Sequence, residues 1–369
     1  MSVKIKGHNC SFSRGYKRGP FVPCCLGWDS QQAQDSGQAG SILIMTLLLI
    51  TILVVTITES MRRMQVEQVS ASLYAKTLKG QALCRSATAV ITYLLAQDAG
   101  EQKQSFDHYG EAWARFPRQE DIDLSQFPYQ DINATIVDEK GKFPINSLVT
   151  PDGQWSESHQ RVFECLLQNP PFSLDPGEVA ELLPPIKDWI DADNQQSGVY
   201  GAEKDDYLME DRPFCRNAPF EFNRELLLVK GMTGKLYTGT KEHPGLGSLI
   251  SVHTRGSINI NTAGKEILAA MVNPGISQET AQDFAKDMIQ YRQNKMHFHV
   301  LDKPDWYRNE MAGYNDVQLP PALVSTQSHI FSLLVQAVSG SVRSSTFTIL
   351  KRNHMDGEVI VQRLLIQRQ

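Results

Sequence analysis

"SILIMTLLLITILVVTITESMRRM", residues 41–64, decides the fold, because an apolar run of membrane length passes here without a break into charged sequence. From Ser36 to Thr58, 23 consecutive residues carry no charge, bounded by Asp35 and Glu59. A helix of that length crosses a hydrocarbon core of roughly 30 Å. A secretory signal peptide has a shorter apolar core followed by a small-x-small cleavage site, whereas Glu59, Arg62, Arg63 and more helix-forming residues follow here. The sequence therefore predicts an anchor that stays in the chain.

Beyond Thr58 no proline occurs until Pro117. Apolar or small residues recur at Val66, Val69 and Leu73, then at Leu83, Ala87, Val90 and Leu94, steps of three and four that mark one face of a helix. The expectation is a single helix from about Ser41 to about Leu95. It is apolar all round over residues 41–58 and amphipathic over 59–100, so only its second half has a soluble body to pack on.

This combination resembles the N-terminal helix of type IV pilins and pseudopilins, and "QAGSILIMTLLL" (38–49) is similar to their processing site, a glycine immediately before the apolar run. The resemblance implies a leader over residues 1–40 and cleavage by a prepilin peptidase between Gly40 and Ser41. The helix then remains as a single pass through the inner membrane, with the C-terminal body in the periplasm. The chain departs from the family in a long leader with no base in the last twenty residues before the cut, and Arg62 and Arg63 oppose the positive-inside bias. It departs again at the fifth residue after the cut, Met45, where most of the family has a glutamate thought to meet the N-terminus of the subunit ahead. An unpaired carboxylate in hydrocarbon costs several kcal/mol. A subunit at the tip, with none ahead of it, is better off with the thioether.

The bulk of the chain reads as globular. Residues 1–40 carry a net +3, which leaves −8 on residues 41–369 of a chain whose formal net charge is −5. An acidic body argues against polyanionic partners, and no nucleic acid is expected. Of six cysteines, Cys84, Cys165 and Cys215 follow the anchor, none paired at metal-ligand spacing. Cys165 and Cys215 are open either to a disulfide or to remaining buried thiols.

"QDINATIVDEKGKFPINSL" (130–148) alternates about Lys140-Gly141 and predicts a β-hairpin, and three more strand-like runs lie between residues 329 and 369. The fold class expected is α+β: a pilin-like long N-terminal helix packed on an antiparallel sheet formed by residues 101–150 and 325–369. Residues 151–324, rich in proline and short helical patterns, form a mostly helical insert. Asp175-Pro176-Gly177-Glu178 has the form of a helix start. Ala281, Phe284, Ala285, Met288 and Ile289 make another helical stripe. Pro144-Ile145-Asn146 and Ile258-Asn259-Ile260-Asn261, each followed by helices, suggest a divergent duplication.

The densest local chemistry is "DWIDADNQQSGVYGAEKDDYLMEDRP" (188–213). Residues 188–211 hold eight acids, Asp188, Asp191, Asp193, Glu203, Asp205, Asp206, Glu210 and Asp211, against Lys204 alone. Calcium takes six to eight oxygens from carboxylates, amides and carbonyls on a flexible loop, which such a segment supplies, although the spacing is not that of an EF-hand. A solvated acidic loop is the plainer alternative. With "RELLLVKGMTGKLY" (224–237) and "GSININTAGKEILAAM" (256–271), the segment resembles the large minor pseudopilins of bacterial type II secretion over nearly all of residues 37–369. That resemblance implies calcium binding, with Asp191, Asp193, Glu203 and Asp206 as the ligands and Asn194 able to add an amide oxygen. It also implies minor pseudopilins I and J as partners and a place at the tip of the pseudopilus.

Two other classes are weighed. Residues 260–292 also resemble the helix-hairpin-helix repeats of membrane-anchored DNA receptors, but four bases and four acids cancel over residues 262–295, which disfavours phosphate contacts. No H-E-x-x-H, G-x-S-x-G or P-loop occurs. His297 and His299 form an H-x-H, and Asp205 and Asp206 an acid pair. Surface packing and ion binding account for these better than catalysis, so no enzyme is expected.

Overall fold

A computed structural model describes residues 36–101, 106–116, 132–209, 215–353 and 358–368; the expected leader up to Asp35, and the acids Glu210 and Asp211, lie outside the described residues. The chain divides between Val69 and Ser70 into two units. Helix α1, Ser36–Glu101, runs through both and begins five residues ahead of the expected start, so Gly40 and Ser41 lie inside it.

In the first unit α1 keeps an apolar surface facing outward on every side, with Ile42, Leu47, Ile52 and Val55 all more than half exposed. It is long and apolar enough to cross a membrane, with a mean hydropathy of 2.7 over its most apolar window. The threonines in this run do not leave their hydroxyls unsatisfied. Thr46, Thr51 and Thr56 donate to the carbonyls of Leu43, Leu48 and Leu53 at 2.9, 2.7 and 2.9 Å, and Thr58 to that of Val54 at 2.8 Å. After the apolar run, Glu59 pairs with Arg62 at 3.0 Å on the helix surface.

In the second unit, α1 after Ser70 buries Gly80, Cys84, Ala87, Thr88, Ile91, Leu94 and Leu95. The buried stripe keeps the expected Ala87 and Leu94 but is centred one position over at the other two, where Cys84 and Ile91 are buried and Leu83 and Val90 flank it half-buried. Gly80 sets this register. A Cβ there would lie 2.5 Å from the Ser344 hydroxyl, so only glycine lets the helix approach the sheet so closely. After the short α2, Ala112–Arg115, comes strand β1, Ile132–Asp138.

β1 does not form the expected hairpin. The Asp138 carboxylate accepts the Lys140 N–H at 2.8 Å, which turns Glu139–Gly141 into a 3-10 turn. The next strand, β2, is only Phe143–Pro144, and Pro144 has no N–H with which to return along β1. β1 pairs instead with a strand almost two hundred residues away. The order is β1-β6-β7-β8, all antiparallel, where β6 is Ile330–Ser339, β7 Val342–Arg352 and β8 Val359–Arg368. The three C-terminal strands fall where the alternation predicts them. The inner face of the sheet and the upper half of α1 enclose one core, with Ile91, Leu95, Trp113, Ile136, Phe331, Leu333 and Val335.

A second, larger core lies in the helical region. It holds α3, Glu157–Gln168; α4, Pro176–Ile190; α5, Lys204–Met209; α6, Gly234–Thr238; and α7, Leu246–Leu249. Strands β3, Ile250–Ser251, and β4, Ile258–Asn259, follow. Then come α8, Lys265–Met271; α9, Gln278–Gln293; α10, Trp306–Glu310; and β5, Val324–Ser325. α4 starts as its sequence predicts, with Pro176 first and the Glu178 carboxylate accepting the Asp175 N–H at 2.9 Å. Phe143, Ile145, Leu148 and Val149, on the sheet side of the boundary drawn at residue 150, belong to this helical core.

The suggested duplication has a structural counterpart. β2 pairs in parallel with β3, and β4 in parallel with β5, each pairing two residues long. Both leading strands are followed at equivalent positions by a buried asparagine that ties down a distant loop. Asn146 donates to the carbonyls of Phe220 and Val252, both at 3.0 Å, and accepts the Phe220 N–H at 2.8 Å. Asn261 donates to the Leu301 carbonyl at 2.9 Å and accepts the Trp306 indole at 3.0 Å.

Candidate metal centre

The last turn of α4 begins the site. Trp189 points into the helical core, stacked on Phe220 with ring centroids 6.0 Å apart and edge-on to Tyr207 at 5.6 Å. Its neighbours Asp188 and Asp191 are thereby held at the C-terminal end of the helix. That is the unfavourable end for carboxylates, where the helix dipole is negative, and both are buried.

Three devices accommodate them. Asp188 accepts the N–H groups of Ser197 at 2.9 Å and Ala202 at 2.8 Å, so the loop after α4 curls round its carboxylate. Gly201 makes the curl possible, since a Cβ there would stand 2.5 Å from Asp188 Oδ2. Lys187, one turn before Asp191, places its ammonium 2.8 Å from Asp191 Oδ2 and 2.8 Å from the Ser197 hydroxyl. The curled loop then brings Glu203 back, and ligand oxygens of Asp188, Asp191 and Glu203 lie within 4.8 Å of one another.

The charges are not fully met by protein. Asp191 Oδ1 and Glu203 Oε1 are buried with no hydrogen-bond partner, although Asp191 is 3% and Glu203 5% exposed. A buried carboxylate oxygen left without a donor is costly. Burial pushes the Asp188 and Asp191 carboxyls up, and burial together with Asp188 and Asp191 pushes Glu203 up to about 7. Orphaned hard oxygens in a crowd of carboxylates fit a hard divalent cation.

Asn217 completes the surroundings and was missed by sequence reasoning, because it lies outside the acidic run. Held at φ +50°, it donates to the Asp193 carbonyl, to Asn194 Oδ1 at 3.0 Å and to Glu203 Oε2 at 3.3 Å. Its own Oδ1 is buried without a partner. Asp188, one of the eight acids of the run, joins the trio although the ligand set implied by the resemblance does not include it.

Two of the chosen residues stand apart from the buried trio. Asp193 is exposed and uses Oδ1 to accept the Gln195 N–H at 2.8 Å. Asp206 accepts the Glu203 N–H at 2.9 Å and the Gln196 amide at 2.6 Å, bonds that hold its carboxyl below the usual range. It closes the first turn of α5 rather than facing Asp191. Cys165 and Cys215 are both free thiols, which decides the open question of their pairing; burial pushes Cys215 up to about 12. His297 accounts for itself locally, stacked 3.8 Å from Tyr291, and His299 contacts the Met296 carbonyl at 2.9 Å.

The hairpin α8–α9 spends its buried base internally. Arg292 is 9% exposed and its guanidinium donates to the carbonyls of Ile260 and Ala263.

Comparison with known proteins converges on one family. The family model for type II secretion system protein K matches residues 141–243, a range that holds the whole carboxylate trio. The type II secretion system protein K of Pseudomonas aeruginosa is 28% identical over 277 residues, 69% of this chain and 78% of that protein. Its counterpart in Aeromonas hydrophila is 26% identical over 246 residues, 64% of this chain and 70% of that one. The fold is similar to a chain in the crystal structure of the GspK-GspI-GspJ complex of the enterotoxigenic Escherichia coli type II secretion system. The TM-score is 0.56 with 18% identity, over 82% of this chain and 100% of that one. The long apolar helix, the antiparallel sheet and the acidic loop thus occur together in a chain that is similar to type II secretion system protein K in sequence and in fold.

Proposed function

We propose that this chain is a non-enzymatic minor pseudopilin that helps to initiate and cap the type II secretion pseudopilus from its tip. One observation carries the reading: an apolar helix of membrane length continues, without interruption, into the stretch that closes the sheet core. A subunit built this way is anchored in the inner membrane with its body in the periplasm. Met45 supports the tip position, since it leaves no carboxylate in the apolar run for a subunit ahead.

The partners proposed are minor pseudopilins I and J. The related E. coli chain is found in complex with the proteins so lettered, and α1 and β8 here flank a mostly apolar groove of about 560 Å³ lined by Arg85, Ala89, Tyr93, Val359 and Val361. A DNA receptor is not favoured, because Arg292 of the α8–α9 hairpin is buried on carbonyls and the three exposed lysines of residues 262–295 are outnumbered by four acids.

Calcium is proposed as the ion of the carboxylate loop. Asp191 and Glu203 would hold it through their orphaned oxygens, with Asp188 and Asn217 Oδ1 beside them, while Asp193, Asp206 and Asn194, the other ligands that the resemblance implies, would have to turn toward the ion to join them. When bound it would supply positive charge on the side of the cluster that Lys187 does not reach.

Two measurements test the reading. Mass spectrometry of the mature chain from membranes should find Ser41 at the N-terminus only when prepilin peptidase is active; a mature start at Met1 or after Thr58 sinks the pseudopilin assignment. Full-length protein in detergent should melt higher in calcium than in chelator, and equal melting temperatures remove the ion.

A further inference from the structure

The carboxylate loop contains its own cation. Lys187 is mostly buried and its ammonium meets Asp191 through Oδ2, while Oδ1 of the same carboxylate is the one left without a partner. A second bond, to the Ser197 hydroxyl, fixes the ammonium at that edge of the cluster. Ser197 in turn donates its N–H to Asp188. One side of the site is thus already neutralised, and the unmet demand is on the other side, at Asp191 Oδ1 and Glu203 Oε1.

We infer that Lys187 is a built-in counter-charge that sets the affinity of the site for a divalent cation, sharing Asp191 with the ion through opposite oxygens of one carboxylate. The inference rests on the calcium reading above and adds a residue that no acidic pattern would select. Its physical content is simple. Without the ion, Lys187 keeps α4 and the loop folded round two buried aspartates. With the ion, the ammonium and the cation repel across a single carboxylate, in surroundings where charges are poorly screened. Lys187 therefore stabilises the empty loop and weakens binding, which makes the ion exchangeable rather than a permanent staple.

Lys187→Met, which keeps the length of the stem and removes the charge, separates these effects. Calcium affinity is measured by titration calorimetry, and melting is measured in calcium and in chelator, on the full chain in detergent. The expected result is a melting temperature below that of the unsubstituted chain in chelator, a calcium-induced rise larger than normal, and calcium binding tighter by about ten-fold or more. Lys187→Gln, shorter but still polar, serves if the Met variant does not fold, and the direction expected is the same. Lys265→Met, on the exposed surface of α8, controls for the change in overall charge.

Unchanged or weaker calcium binding in the neutral variants, beside normal binding in the unsubstituted chain, overturns the role of Lys187 and leaves the calcium reading intact. No binding by the unsubstituted chain overturns both. A melting loss of equal size with and without calcium assigns Lys187 a structural salt bridge only and overturns the inference.

Discussion

His108 is a neutral imidazole held in the interior. It is 5% exposed, with ring centroids of Phe106 and Phe298 at 5.5 and 4.2 Å, and its Nδ1 accepts the Gly110 N–H at 3.0 Å. Burial pushes its pKa down to about 4. A folded state that refuses a proton the unfolded chain accepts has its full stability above about pH 6.5 and loses it as pH falls towards 4. Denaturant titrations should assign His108 a loss of about 3 kcal/mol across that window. His108→Phe should remove that part of the slope, and an unchanged slope would refute the assignment. The same scale shows what sequence could not reveal at the metal centre. Asp191 and Glu203 stood out by their crowding, but nothing in a one-dimensional pattern distinguishes Asp206, which caps a turn, from Asp188, whose backbone donors come from a curled loop. Asn217 is reached only once the chain has folded back.

At the scale of elements, the contact between α1 and the sheet depends on register. The expected and observed stripes share Ala87 and Leu94 and differ by one position at Leu83 and Val90, because apolar residues occur on both sides of the line and Gly80 decides which side reaches Ser344. Ile91→Ala should therefore cost about 2–5 kcal/mol in urea denaturation, the usual loss for a fully buried isoleucine. Val90→Ala, on the half-buried flank, should cost clearly less; the reverse order would restore the stripe read from sequence. Gly80→Val should destabilise by about 1–3 kcal/mol through overpacking. The strands were legible where alternation and turn residues agree, as in β6, β7 and β8. The hairpin at 130–148 failed because alternation records which face is buried and says nothing of which strand lies alongside.

Over the whole of the second unit, two apolar cores meet at a buried polar junction. Arg352, 2% exposed, pairs with Asp98 at 2.6 Å and with Asp107. The Ser328 N–H donates to Asp107 at 2.6 Å. Asp138 at the end of β1 accepts from Ser328, Thr262 and Asn259, and burial pushes it up to about 6. Removing one partner of such a pair strands a buried charge and costs about 3–5 kcal/mol. Arg352→Met should lower the stability of the unit by that order. Because residues of both cores share the junction, circular dichroism and tryptophan fluorescence should still report one coincident transition. Separate midpoints for the two signals would mean that the cores unfold independently. No sequence pattern marks this junction: Asp98, Asp107, Asp138 and Arg352 come from four segments with no common motif.

The threonines of the apolar run carry a last consequence. Each of the four described hydroxyls is already committed to a carbonyl of the preceding turn. In hydrocarbon such a helix has no outstanding polar debt that a neighbouring helix must settle. Its grip on the bilayer then scales with greasy area alone, diluted at every threonine. A segment held that way meets neighbouring helices through packing alone, with no threonine hydroxyl bonded to a companion.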